Sequence, residues 1–136
     1  MRAAAEYQVI RPGLFYWQAY EPAVKTELCC CAIETPAGLV FCDPVPLERA
    51  ALEELTEGGR PHAIVLTNGN HERGAAAVAR RFGIEVWASE GAKGEVGATR
   101  WFWGGGGGVW RGGDGFAGGV CGGGDGALVG RGAGDR

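Results

Sequence analysis

The sequence predicts an α/β fold, in which antiparallel β-hairpins lead into a β-α-β-α-β unit and together form a mixed sheet. Two observations carry this prediction. Residues 6–42 contain β-rich segments separated by Pro- and Gly-containing turns, and the residues that follow alternate between helical periodicity and short apolar segments. The length of 136 residues suits one domain, and no apolar run approaches the roughly 20 residues that span a bilayer.

The N-terminal part predicts two hairpins. Aromatic and β-branched residues lie on both sides of Pro12-Gly13, which predicts two short strands within residues 6–20. A second pair of strands is predicted within residues 24–42 around another turn. Residues 28–33 are apolar throughout, which is typical of a strand that is covered on both faces.

Three of the five cysteines are consecutive, at positions 29–31. Neighbouring residues of a strand point to opposite faces, so these three cannot converge on one metal or pair easily with each other. We therefore interpret them as small buried hydrophobic residues in a reducing compartment, and a thiol cluster is the less favoured alternative.

The apolar periodicity changes after the second hairpin. Residues 47–57 carry apolar side chains at i, i+4 and i+8 and precede two glycines, which predicts an amphipathic helix. Residues 63–66 form a short buried strand, residues 71–82 a second helix that Gly83 ends, and residues 84–87 a further strand. Strands joined by helices in this order are expected to pair in parallel.

The last 36 residues have a different composition. They hold 17 of the 27 glycines and lack Lys, Glu, Ser and Thr, and they follow neither strand nor helix periodicity. Such sequence loses the most backbone entropy on ordering and offers little side-chain area in return. We predict a domain over residues 1–98 and a Gly-rich, disordered tail over residues 99–136. We hypothesise that this tail is an out-of-frame reading of a GC-rich gene, which would make the chain truncated.

Charge and composition restrict the partners. The formal net charge is −3, and the tail balances three Arg with three Asp, so there is no electrostatic footprint for nucleic acid or an anionic membrane. The N-terminus has no apolar core of signal-peptide length. We expect a cytoplasmic protein without nucleic-acid or membrane partners. A small anionic ligand and a homodimer through an exposed sheet stay open as alternatives.

One passage carries a family resemblance. The segment Leu-Val-Phe-Cys-Asp-Pro at residues 39–44 is followed, after the first helix, by an apolar strand and by Thr-Asn-Gly-Asn-His-Glu-Arg at residues 67–73. This order resembles the N-terminal half of the metallo-β-lactamase fold, where a strand ends in Asp-Pro and a later strand leads into Thr-His-x-His-x-Asp-His. The resemblance covers roughly residues 7–95. It implies half of an αββα sandwich and a hydrolase superfamily.

The resemblance also indicates where metal ligands would lie. Aligned on the threonine, the family's His, His, Asp and His positions are here Asn68, Asn70, Glu72 and Arg73. A catalytic zinc needs about three imidazole, thiolate or carboxylate ligands. Asn is a weak neutral ligand, and the fixed positive charge of Arg73 repels a divalent cation. We expect no metal-ligating residue here and no cofactor. Zinc or another divalent metal is expected only if a non-standard site is used.

The candidate site lies between the end of a strand and the start of a helix, where α/β proteins commonly bind ligands. The candidate catalytic residues are His71, Glu72 and Arg73, and the candidate ligand-binding residues are Asn68, Asn70 and Asp43. His71 can act as an acid or a base, and Arg73 can hold a phosphate or carboxylate. In the alternative, purely structural interpretation, Asn70 caps the helix, Glu72 pairs with Arg73, and His71 is solvated. Asp43 is expected to accept backbone N–H bonds in a turn.

Three functional hypotheses follow from this resemblance and this loop. The first is an incomplete metallo-β-lactamase-like domain with substituted metal ligands that is not hydrolytic. The second is a hydrolase of an ester, thioester or phosphoester that uses His71, Glu72 and Arg73, with or without a single metal. The third is a module that binds a small anion without turnover.

Overall fold

The computed structural model describes residues 1–89 and 97–102 of the chain. Over these residues it contains a sheet of seven strands whose spatial order follows the sequence, and two helices. The strands are β1 (Gln8–Arg11), β2 (Leu14–Glu21), β3 (Thr26–Thr35), β4 (Gly38–Cys42), β5 (Pro61–Leu66), β6 (Glu85–Ser89) and β7 (Arg100–Phe102). The helices are α1 (Arg49–Glu57) and α2 (Ala75–Phe82), and a 3₁₀ turn, Gly69–His71, precedes α2. The predictions for the tail beyond residue 102 lie outside the described residues.

The sheet is mixed, as the sequence predicts. Strands β1 to β4 are antiparallel neighbours, and β4, β5, β6 and β7 are parallel neighbours. The turn between β3 and β4 requires glycine. At Gly38, φ is +132°, and a Cβ would lie 2.3 Å from the carbonyl oxygen of Arg60. The strand pairs β4–β5 and β5–β6 confirm the predicted α/β class and the parallel pairing across both helices.

The main core lies between the sheet and the two helices. Trp17, Phe41 and Leu66 are almost fully buried there. The indole N–H of Trp17 donates to the carbonyl oxygen of Val45 at 3.0 Å, so the loop after β4 is fixed to β2. Asp43 lies two residues before Val45 in this loop. The bond from Trp17 therefore also helps to fix the position of Asp43, the first residue of the candidate site.

The opposite face of the sheet holds a smaller buried cluster. It consists of Cys31, Val40, Cys42 and Val65. Cys30 and Cys31 are buried on the two faces of β3. Cys30 is a free thiol, as the interpretation of the cysteines as small hydrophobic residues in a reducing compartment predicts, whereas Cys31 is disulfide-bonded, so the interpretation is wrong for Cys31. Cys29 is exposed, so this interpretation is wrong for that residue. Its position on β3 lies past the end of β4, where the sheet no longer covers it.

The start of α2 differs from the prediction. The helix begins at Ala75 with Gly74 as its N-cap, so neither Asn70 nor Glu72 lies in its first turn. Asn68 caps the 3₁₀ turn instead, because its side-chain oxygen accepts the N–H of Asn70 at 2.9 Å. The backbone at Arg73 has a φ of +38°, which interrupts the helical path between the turn and α2.

Two further features complete the described fold. Strand β7 was not predicted, and it follows position 98, at which the predicted domain ends. No helix in residues 1–89 and 97–102 is both long and apolar enough to cross a membrane.

Candidate functional site

The candidate site lies at the carboxyl edge of the parallel strands β4 and β5. Asp43 directly follows β4 and Thr67 directly follows β5, so parallel pairing brings both residues to the same edge. The N–H of Asp43 donates to the carbonyl oxygen of Val65 at 3.0 Å and extends this pairing by one residue. The turn that carries the remaining candidates starts here.

Asp43 is the buried acid of the site. It is 8% exposed and has a φ of +49°, a conformation that Asp tolerates better than most residues. Its Oδ1 accepts the backbone N–H of Thr67 at 2.8 Å, and its Oδ2 accepts the Thr67 hydroxyl. The carboxylate therefore accepts a backbone N–H bond, as expected, and its orientation is fixed by two bonds from one residue.

His71 contacts this carboxylate directly. Its Nδ1 lies 3.0 Å from Oδ2 of Asp43 and 3.3 Å from the hydroxyl oxygen of Thr67. Because the Thr67 hydroxyl donates to Asp43, a proton on Nδ1 satisfies both contacts, and Nε2 is then the acceptor nitrogen of the neutral ring. The imidazole side chain is 31% exposed, so the expectation of a simply solvated histidine is wrong.

Arg73 lies on the other side of the turn. Its Nη1 donates to the carbonyl oxygen of Cys29 at 3.0 Å and ties the turn to β3. A surface pair between Glu72 and Arg73 is not found among residues 1–89 and 97–102, so that expectation is wrong. The guanidinium bonds to the backbone oxygen of Cys29 instead.

The exposed thiol of Cys29 has a polar partner. The hydroxyl of Tyr16 donates to its sulfur at 3.0 Å, and this bond is the main reason why the pKa of Tyr16 is raised to about 12. The neighbouring thiol of Cys30 differs, because burial raises its pKa to about 12. Only the first of these two thiols is accessible to reagents in the folded chain.

Glu72 is directed to a different place. It lines a cavity of about 180 Å³ between α2, β6 and the residues just before β7, together with Ala76, Ile84 and Thr99. A Cβ on Gly97 would lie 3.4 Å from its Oε1. The structure thus brings Asp43 and His71 together and places Glu72 apart from them.

The site also includes residues that sequence reasoning missed. Thr67 was used only to align the motif, although it holds Asp43 through its backbone and its side chain. The parallel pairing of β4 and β5 could have revealed this contact, since both residues follow the ends of neighbouring strands. The carbonyl of Cys29 as the partner of Arg73 had no sequence signal, because the two residues are 44 positions apart.

Groups of three or more His, Cys, Asp or Glu side chains placed to hold a metal ion are not found in the described part of the chain, residues 1–89 and 97–102. The side-chain oxygen of Asn68 accepts the N–H of Asn70. The imidazole of His71 contacts Asp43 through Nδ1, so Nε2 is the ring nitrogen that could still coordinate a metal ion.

Comparisons with known proteins agree with this architecture. The family sequence model of the metallo-beta-lactamase superfamily matches residues 7–109 of this chain. A metallo-beta-lactamase from Hirschia baltica is similar in structure, with a TM-score of 0.53 and 16% identity, over 71% of this chain and 51% of its own. The metallo-beta-lactamase IND-7 has a TM-score of 0.49 and 16% identity, over 72% and 50%. At 16% identity, the likeness to the protein from Hirschia baltica concerns the fold alone.

The chain spans about half the length of these solved structures. A search among curated proteins finds no match. The family match covers more than half of the chain and includes the hairpins, both helices and the turn after β5. The chain therefore belongs to the metallo-β-lactamase superfamily.

Proposed function

We propose that this chain is a metallo-β-lactamase-like domain that does not hydrolyse substrates through a dinuclear metal centre. The observation that carries this proposal is the position of Arg73. It stands where the family motif has its last histidine, and its guanidinium is fixed 3.0 Å from the carbonyl oxygen of Cys29. A permanent cation is thereby held beside the turn that would have to bind two cations.

The donor atoms of the turn support the same conclusion. Asn68 and Asn70 offer neutral amides in place of imidazoles, and the oxygen of Asn68 already accepts a backbone N–H. The carboxylate of Glu72 lines the cavity beside α2 and is separated from the Asp43–His71 pair. One free imidazole nitrogen does not meet the requirement of about three strong ligands. The residues present do not fit a dinuclear centre.

The size of the electrostatic penalty shows why Arg73 matters. A divalent cation about 4 Å from a guanidinium is repelled by roughly 8 kcal/mol at an effective dielectric constant of about 20. Structural zinc sites gain apparent binding free energies of about 10–16 kcal/mol with a complete ligand set. Repulsion of about 8 kcal/mol would remove half or more of this binding free energy even if good ligands were present.

Metal analysis of the purified full-length chain tests the proposal. We expect no stoichiometric zinc, iron or manganese after dialysis and no hydrolysis of a β-lactam that depends on added zinc. The matched control restores the family motif through Asn68→His, Asn70→His, Glu72→Asp and Arg73→His, and it should gain zinc binding measurable by calorimetry. Stoichiometric metal in the wild type that is lost on Glu72→Gln but kept on Cys29→Ser would contradict the proposal.

A second candidate function is hydrolysis without a metal. The observation that favours it is the 3.0 Å contact between Nδ1 of His71 and Oδ2 of Asp43. An imidazole oriented by a buried carboxylate is the usual arrangement of a general base in hydrolases that need no metal.

A further inference from the structure

We infer that Asp43 and His71 form a metal-independent acid–base pair that activates water for the hydrolysis of activated carboxylic esters. This inference rests on the proposed function, because a metal bound by the same turn would occupy the imidazole. His71 would be the catalytic residue, and Asp43 would be a positioning residue that acts through it.

The first support is the way in which the carboxylate is held. The Thr67 N–H and hydroxyl both donate to Asp43, one to each oxygen, so the carboxylate plane cannot rotate freely. Oδ2 then faces Nδ1 of His71 at 3.0 Å. A carboxylate in this position holds the proton on Nδ1 and stabilises the imidazolium that forms when Nε2 accepts a second proton.

The second support is the access of the base to solvent. The His71 side chain is 31% exposed, while that of Asp43 is 12% exposed. Nε2 has no protein partner within residues 1–89 and 97–102, so a water molecule can reach it. A buried orienting acid beside an accessible imidazole is the asymmetry that a general base requires.

The chemistry of the turn selects the substrate class. Transfer of a phosphoryl group depends on cations that neutralise its oxygens. Here the guanidinium of Arg73 is tied to the carbonyl oxygen of Cys29. Hydrolysis of an uncharged acyl ester with a good leaving group needs a base but no cation to neutralise the substrate. Aryl esters are therefore the class that a single oriented imidazole can hydrolyse.

The step balances with water as the only co-reactant. Nε2 of His71 takes a proton from water while the water oxygen forms a bond to the acyl carbon, and the carbonyl electrons move to its oxygen. The tetrahedral intermediate then collapses, the bond to the leaving oxygen breaks, and the proton on Nε2 passes to the leaving group. Carboxylic acid and phenol are the products, and the imidazole returns to its neutral form.

The test uses p-nitrophenyl acetate with the full chain after treatment with EDTA. The chain offers a matched control, because its second histidine, His62, is exposed near the start of β5. This position is about 17 Å along the strand from Thr67. We expect His71→Gln to lower the rate constant about a hundredfold and His62→Gln to leave it unchanged. Asp43→Asn should lower it by about tenfold or more.

Two further measurements separate the roles. Nitrogen-15 NMR should show the proton of His71 on Nδ1 in the wild type, and this preference should be lost in Asp43→Asn even though the variant stays folded by circular dichroism. Hydrolysis should be slower in D₂O, because the transition state transfers a proton from water. Equal rates in D₂O and H₂O, or equal losses for His71→Gln and His62→Gln, would overturn the inference.

The failure of this inference and that of the proposed function have different signatures. A rate that EDTA abolishes and zinc restores would overturn the proposed function. A metal-free chain whose rate is the same in the wild type and in His71→Gln would overturn the inference about the pair and leave the proposed function intact.

Discussion

Replacing Asp43 is expected to show how much of the stability of the site depends on one carboxylate. In Asp43→Ala, the Thr67 N–H, the Thr67 hydroxyl and Nδ1 of His71 all lose their acceptor. Thr67 is exposed and His71 is partly exposed, so water compensates in part, and about 2 kcal/mol in total is a reasonable loss for these bonds. The φ of +49° adds about 1 kcal/mol for alanine. The expected loss is about 3 kcal/mol.

Asp43→Asn is the matched control for this prediction. Asparagine tolerates the same backbone conformation, and its amide oxygen can still accept the Thr67 N–H. Its loss should therefore be smaller, about 1 kcal/mol, since the Thr67 N–H keeps its acceptor and only the two contacts of Oδ2 are weakened. Urea denaturation, followed by tryptophan fluorescence to which the buried Trp17 contributes, measures both variants.

Two comparisons test the assigned role of Asp43: that of Asp43→Ala with Asp43→Asn, and that of Asp43→Asn with His71→Gln. A double-mutant cycle between Asp43→Asn and His71→Gln should give a coupling free energy of about 0.5–1 kcal/mol, because the two side chains are in direct contact. Losses that are the same for alanine and asparagine would refute the argument from backbone conformation. A coupling free energy of zero would refute the assignment of the contact.

Three further predictions concern residues around the site. Iodoacetamide should alkylate the exposed thiol of Cys29 in the folded chain and leave Cys30 unmodified until urea unfolds the chain. Mass analysis of the peptides measures the labelling of each residue. Equal labelling of both residues in the folded chain would contradict their placement. Burial raises the pKa of Cys30 to about 12 from an ordinary value of 9.0, so the folded chain keeps a proton that the unfolded chain releases. The free energy of unfolding should therefore fall between pH about 9 and 12, by at most about 1.4 kcal/mol per pH unit. Cys30→Ala should reduce the slope of this fall. An unchanged slope would refute the assignment of the pH dependence to Cys30. Gly74→Ala should lower the melting temperature, because its Cβ would lie 3.0 Å from the carbonyl oxygen of Pro44, and a variant with unchanged stability would show that this loop can move.

The sequence predicted the regular parts of the fold because their periodicity is a local property. The hairpins, the parallel strands around α1 and α2 and the αL cap at Gly83 all follow from short-range patterns. The start of α2 could not be predicted in the same way. Asn70 is a good N-cap by type, yet it lies inside a 3₁₀ turn that Asn68 caps, and the positive φ of Arg73 separates this turn from α2.

The candidate site was predicted residue by residue but not as an arrangement. Asp43 was predicted to accept backbone N–H bonds, and it does so. Its role beside His71 was not predicted, because the resemblance placed His71 at a variable position of the motif. Distance along the chain hid the remaining contact, between Arg73 and Cys29, since only the pairing of the strands brings the turn near β3.

The substitutions in the turn are consistent with one another in physical terms. A turn that binds metal is ordered by its ligands, and the metal-free turn that we propose has to be ordered by other bonds. Here Asp43 anchors His71 on the side of β4, while Arg73 anchors the other end of the turn on β3. Asn68 closes the 3₁₀ turn between these two anchors. Arg73→Ala should therefore loosen the turn without exposing a metal site, and amide hydrogen exchange at residues 68–74 should become faster while that of β4 and β5 stays slow. Equal acceleration in both strands would mean that Arg73 supports the whole sheet, and no change anywhere would mean that the bond to Cys29 does not hold the turn in solution.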